Sequence, residues 1–229
     1  MTIRLLLFSA VSLMLTSCGQ SREKTLNYLA LGDSYTIGEA VIDEERYPLQ
    51  LVAKLADKNL TLEIKIVATS GWRTDDLMNC IEKEKLGNDY DLVSLLIGAN
   101  NQFQIKPFSQ YEKEFTVLLA AAIEHAGGDT NRVFVVGIPD YYYTPYGQAK
   151  GSFRITDELN AYNTFAEATC IQWGVPFVDI TAISQKGIEY TELVAKDGLH
   201  PSGKQYGLWV EEILNTAKSN IDYAVEHVR

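Results

Sequence analysis

The stretch Leu26-Asn27-Tyr28-Leu29-Ala30-Leu31-Gly32-Asp33-Ser34-Tyr35-Thr36 carries five apolar residues in its first six positions and then breaks into turn formers. A short apolar run closed in this way reads as a buried strand, with Gly32 permitting the sharp turn that lifts the next side chains above the strand end. The same pattern recurs along the chain. Leu62–Ala68, Leu92–Ile97, Val133–Ile138 and Pro176–Ile180 read as four further strands. Between them, apolar residues fall at helical spacing, as in Phe108, Tyr111, Phe115, Leu118, Leu119, Ala122 and Ile123, and again from Tyr206 through Trp209, Val210, Ile213, Leu214 and Ala217 to Ile221. Thr74 and Thr156, each followed by two acidic residues, read as helix N-caps. Strands that are apolar throughout and alternate with helices imply a mostly parallel sheet covered on both faces, a three-layer doubly wound α/β domain.

The size and balance of the chain agree with one such domain. It has 229 residues, 46% hydrophobic and 22% charged, enough for a continuous core and without the bias of a disordered or repeat protein. Lys and Arg total 20 against 30 Asp and Glu, a formal net charge of -10. That surface repels phosphate backbones and anionic bilayers, so no nucleic-acid partner is expected.

Residues 1–17 read as a signal peptide. Leu5 to Leu15 is an apolar and small-residue run preceded by Arg4, and at ~1.5 Å per residue it reaches only about half of a ~30 Å hydrocarbon core. Leu15-Thr16-Ser17-Cys18 resembles the bacterial lipoprotein cleavage pattern, which implies acylation of Cys18; the plainer alternative is a signal peptide with a chance cysteine. Residues 18–24 then form a polar tether and 25–229 the folded domain. Export permits disulfides, which leaves the state of Cys80 and Cys170 to topology.

In a doubly wound sheet, functional groups gather where the chain leaves the C-terminal ends of the strands. Four stretches lie there: Gly32-Asp33-Ser34, Thr69-Ser70-Gly71-Trp72, Gly98-Ala99-Asn100-Asn101 and Asp197-Gly198-Leu199-His200-Pro201. Each alone is ordinary loop chemistry. Together they supply a hydroxyl nucleophile, an imidazole with a carboxylate three residues upstream, and neutral donors for a developing oxyanion, which is the equipment of acyl transfer. Ser202 and Gln205 fit a capping box that would hold the chain just past His200. The other histidines, His125 and His227, fall near helix ends and read as structural or solvated.

The set resembles the SGNH, or GDSL, hydrolase family, whose serine, glycine, asparagine and histidine occur in this order over Gly32 to His200. The resemblance implies a five-stranded parallel sheet of order 2-1-3-4-5. It implies Ser34 as nucleophile, His200 as general base and Asp197 as its orienting carboxylate. The oxyanion hole would join the backbone N–H groups of Ser34 and Gly71 to the Asn100 amide. Where the family often has aspartate after that asparagine, this chain has Asn101, which puts the bracing of the loop in question. In the implied winding a third helix separates those bearing Cys80 and Cys170, too far for a bridge, so two free thiols are expected. No residue pattern calls for a metal or a nucleotide cofactor.

The expected activity is hydrolysis of carboxylic esters through an acyl-enzyme, removing small acyl groups such as acetyl from carbohydrate or similar extracytoplasmic material. A lysophospholipase or thioesterase, and an idle glycan- or lipid-binding lipoprotein, are the alternatives. Tyr35 and Trp72 beside the site, and Tyr141, Tyr142 and Tyr143 after the fourth strand, could line the substrate pocket or merely pack their loops.

Overall fold

The computed structural model describes residues 24–57 and 59–227. The expected signal peptide and Cys18 lie outside the described residues. Five strands form one parallel sheet: β1 Lys24–Gly32, β2 Leu60–Ala68, β3 Leu92–Leu96, β4 Val133–Val136 and β5 Phe177–Val178. Their order is β2-β1-β3-β4-β5, the expected doubly wound topology. Lys24, expected in the tether, is instead the first residue of β1 and pairs with Leu60. In-register pairing of β1 with β2 continues to Gly32 opposite Ala68.

The α-helices among the described residues are α1 Ser34–Ile37, α2 Tyr47–Leu55, α3 Thr74–Lys83, α4 Ala99–Phe103, α5 Phe108–His125, α6 Pro145–Lys150, α7 Arg154–Trp173, α8 Thr181–Ser184 and α9 Gly203–Glu226. The longer ones form the outer layers, α2 with α9 on one face and α3, α5 and α7 side by side on the other. The central strand β3 is buried at every residue, as a strand covered on both faces must be. Its Ser94 lies in that interior and is satisfied by the phenols of Tyr28, at 2.7 Å, and Tyr47, at 3.2 Å. Cys80 on α3 and Cys170 on α7 flank α5 and are both free thiols.

Two expected caps are corrected. Thr74 is the first residue inside α3, whose cap position is Arg73; the Asp76 carboxylate reaches back to the Arg73 N–H at 3.1 Å. The Thr74 hydroxyl is drawn away to Glu114. Thr156 lies inside α7, and its hydroxyl donates at 2.8 Å to the buried carboxylate of Asp140. In both cases a carboxylate outside the helix start outcompetes local capping for the hydroxyl. Ser202 does cap α9, accepting from the Gln205 N–H, but the Gln205 side chain turns to the Leu193 carbonyl instead of closing the box.

Candidate active site

The site is built at the C-terminal ends of β1, β2 and β3 and from the loop before α9. Gly32 ends β1, and its reason differs from the turn expected of it. A Cβ there would sit 2.1 Å from Thr36 Oγ1 and 2.5 Å from the Leu96 carbonyl oxygen, so it is close packing of the turn against β3 that requires glycine. The chain then enters α1 at Ser34, with the Asp33 side chain accepting from the Tyr35 N–H at 3.0 Å. After β2, Gly71 adopts φ +83°, the left-handed region that glycine occupies without a Cβ penalty. Among the described residues, no protein acceptor takes the N–H of Ser34 or of Gly71.

Asn100 lies in the first turn of α4. Its Nδ2 donates to the Trp72 carbonyl at 3.0 Å, which fixes the plane of the amide, and the same amide lies near enough to Asp33 to favour its ionised carboxyl. The neighbouring Asn101 answers the question of bracing. Fully buried, it accepts from the Thr74 N–H at 3.0 Å and donates to the Thr74 hydroxyl at 2.6 Å, tying α4 to the start of α3. An aspartate could make the first of these bonds; the second needs the amide donor.

On the opposite side, Asp197 organises its own loop. Its Oδ1 accepts from the N–H groups of Leu199 at 2.9 Å and His200 at 3.0 Å, and its Oδ2 lies 2.6 Å from His200 Nδ1. Partial burial is the strongest influence on this carboxyl and acts upward. The His200 ring and the two N–H donors together outweigh it, and the group is held below the usual carboxylate range. The His200 backbone is pinned as well, its carbonyl accepting from the Ala195 N–H at 2.8 Å beside the bridge of Val194 to Pro201. With Nδ1 engaged by Asp197, the free position of the ring is Nε2.

These elements meet at one cavity of about 280 Å³, lined by Ser34, Gly71 and Asn100 on one side and by Asp197 and His200 on the other. Tyr35 and Tyr141 complete the wall with Phe103, Ser70 and Glu39. Of the aromatic residues singled out in the sequence, Tyr35 and Tyr141 therefore face the cavity. The Tyr35 ring centroid is 5.5 Å from that of His200. Trp72 is half-buried against the core and contributes its carbonyl rather than its ring. Tyr142 packs edge-on against Tyr143 and Phe153, away from the cavity.

A GDSL-like lipase/acylhydrolase family model matches residues 30–208. The chain belongs to that family. No curated protein sequence matches it. Among solved structures, this GDSL-family chain is similar to a variant of Axe2, an acetyl xylan esterase from Geobacillus stearothermophilus, at 19% identity and TM-score 0.66, over 84% of this chain and 94% of that one. It is also similar to a lipase/acylhydrolase from Enterococcus faecalis, at 20% identity and TM-score 0.63, over 84% and 95% of the two chains. The esterase EstA from Pseudoalteromonas sp. aligns at 16% identity and TM-score 0.62, over 86% and 98%. At these identities the likeness establishes the shared fold.

Sequence reasoning missed Phe103 and the state of Asp33. Phe103 stands three residues after Asn100, almost one helical turn, a spacing that signals a shared face once α4 is recognised. Asp33 is fully buried and its Oδ2 has no hydrogen-bond donor. Burial pushes its carboxyl up to about 7, against the pull of the Tyr35 N–H and the nearby Asn100 amide. The rank of aspartate as an ordinary turn former concealed this.

Proposed function

We propose that this GDSL-family chain is a serine esterase that removes small acyl groups, acetyl foremost, from carbohydrate esters outside the cytoplasm, held to a membrane by lipid on Cys18. The observation that carries the catalytic part is the single cavity shared by Ser34, the Asp197–His200 pair and the free N–H groups of Ser34 and Gly71. His200 Nε2 takes the Ser34 proton as the oxygen attacks the ester carbonyl. The two backbone N–H groups and the Asn100 amide stabilise the oxyanion. As the tetrahedral intermediate collapses, the alkoxide leaves with the proton from His200. Water, deprotonated by the same ring, then attacks the acyl-enzyme; its proton returns to Ser34 as the carboxylic acid departs. Asp197 fixes the imidazole and supports its charged form.

A small acyl group suits a cavity of about 280 Å³, slightly below the usual range for drug-sized ligands. The likeness to an acetyl xylan esterase accords with that choice. The test is a series of 4-nitrophenyl esters of rising chain length beside acetylated xylan. Turnover should fall with chain length, and Ser34→Ala should lose it while keeping its circular dichroism spectrum. Full activity in that variant ends the nucleophile assignment, and a preference for long chains ends the acetyl assignment.

A further inference from the structure

Beyond Phe103 and Tyr141 lies a second cavity of about 340 Å³, which shares those two side chains with the first as a common wall. That wall is fixed by a chain of hydrogen bonds. The Tyr141 hydroxyl donates to Gln102 Oε1 at 2.6 Å, Gln102 Nε2 donates to Glu158 Oε2 at 2.8 Å, and Arg154 reaches Glu158 Oε1 at 3.0 Å. Glu158 thus has both oxygens engaged and its charge opposed by Arg154. Lys150 has no such partner: among the described residues it makes no ion pair. Its ammonium lies 4.9 Å above the Tyr146 ring and 5.8 Å from that of Phe103, two rings stacked at 5.9 Å. In a chain of net charge -10 this leaves an uncompensated cation, set on aromatic faces, next to the candidate catalytic cavity.

The charge distribution gives the pair of cavities a direction. The carboxylates of Glu39 and Asp197 line the first, while Lys150, Arg154 and Glu158 line the second, where the Arg154–Glu158 pair leaves Lys150 as a surplus cation. An anionic group is repelled from the Ser34 end and attracted to the Lys150 end, with the partly exposed Phe103 face available to the C–H face of a sugar ring. We propose that the second cavity is a subsite for an anionic sugar on the alcohol side of the ester, so that the substrate is an O-acylated acidic glycan. This rests on the esterase reading and narrows its substrate.

The test compares wild type, Lys150→Ala and Lys150→Arg on O-acetylated oligogalacturonate, O-acetylated xylo-oligosaccharide and 4-nitrophenyl acetate, with a lysophosphatidyl ester as a fourth arm. Wild type should favour the acidic glycan over the neutral one. That ratio of kcat/KM should fall about tenfold in Lys150→Ala, the scale of one charge-assisted hydrogen bond, chiefly through KM. It should recover in Lys150→Arg and shrink in wild type as salt is raised. An equal loss on both glycans, or none, overturns the subsite. Lysophosphatidyl turnover that depends on Lys150 while the acidic glycan is ignored overturns the sugar and moves the anion to a lipid. Failure of wild type on every ester, 4-nitrophenyl acetate included, refutes the esterase reading itself.

Discussion

Replacing Asp33 by asparagine should change stability by an amount that depends on pH, and the buried carboxyl sets the size. Its value rises from 3.8 to about 7 on folding. Between those values the unfolded chain is ionised while the folded one keeps its proton, so the native state binds more protons and stability falls as pH rises; above about 7 the loss is complete. Roughly three units at 1.36 kcal/mol each make the swing about 4 kcal/mol. Asp33→Asn cannot titrate and lacks it. Asp33 Oδ2 has no hydrogen-bond partner, so at pH 4 the protonated carboxyl of wild type and the amide of the variant each leave a buried donor unpaired, and that cost of about 1–3 kcal/mol largely cancels. The variant should therefore lie close to wild type at pH 4 and be more stable than it by about 4 kcal/mol at pH 8. Urea unfolding of both proteins at the two values measures this, and the difference of differences removes every other titrating group. A stability gap equal at pH 4 and pH 8 to within about 1 kcal/mol would refute the buried, protonated carboxyl.

Two other substitutions probe the rim. Asn100→Ala should lower kcat on 4-nitrophenyl acetate by roughly 10²–10³ and leave the melting temperature close to wild type, since an oxyanion donor acts in the transition state; a loss of less than threefold would remove Asn100 from that role. Ile105 has φ 56° and is 91% exposed, a β-branched side chain in the left-handed region with little burial in return. Ile105→Gly should stabilise the fold by about 1 kcal/mol in chemical denaturation, the order of the steric penalty it relieves, and destabilisation would mean that the exposed side chain contributes packing.

The strand-end rule was enough to bring Ser34, Gly71, Asn100 and His200 to one edge, because a parallel sheet sends every strand-to-helix turn to the same side. The order 2-1-3-4-5 came from the family resemblance, since an apolar run such as Val133–Val136 does not name its neighbours. Burial was the least legible quantity. Nothing local marks Asp33 as enclosed or Asp140 as the acceptor that pulls in Thr156, because both depend on elements remote in the chain. Half of the Lys150 setting is local, since Tyr146 stands four residues before it on α6; the other ring, Phe103, comes from α4 and depends on the fold.

Strand polarity has a consequence for the molecule's orientation in space. Lys24 stands at the edge of the sheet opposite Ser34, and the eight steps from Lys24 to Gly32 raise the chain by about 26 Å at 3.3 Å per step. If Cys18 carries acyl chains as proposed, the anchor joins the folded domain through Lys24, at the end of β1 away from the cavity. An ester held in that same bilayer would then have to reach the far end of the sheet to meet Ser34, whereas a soluble or polymeric ester would approach the cavity directly.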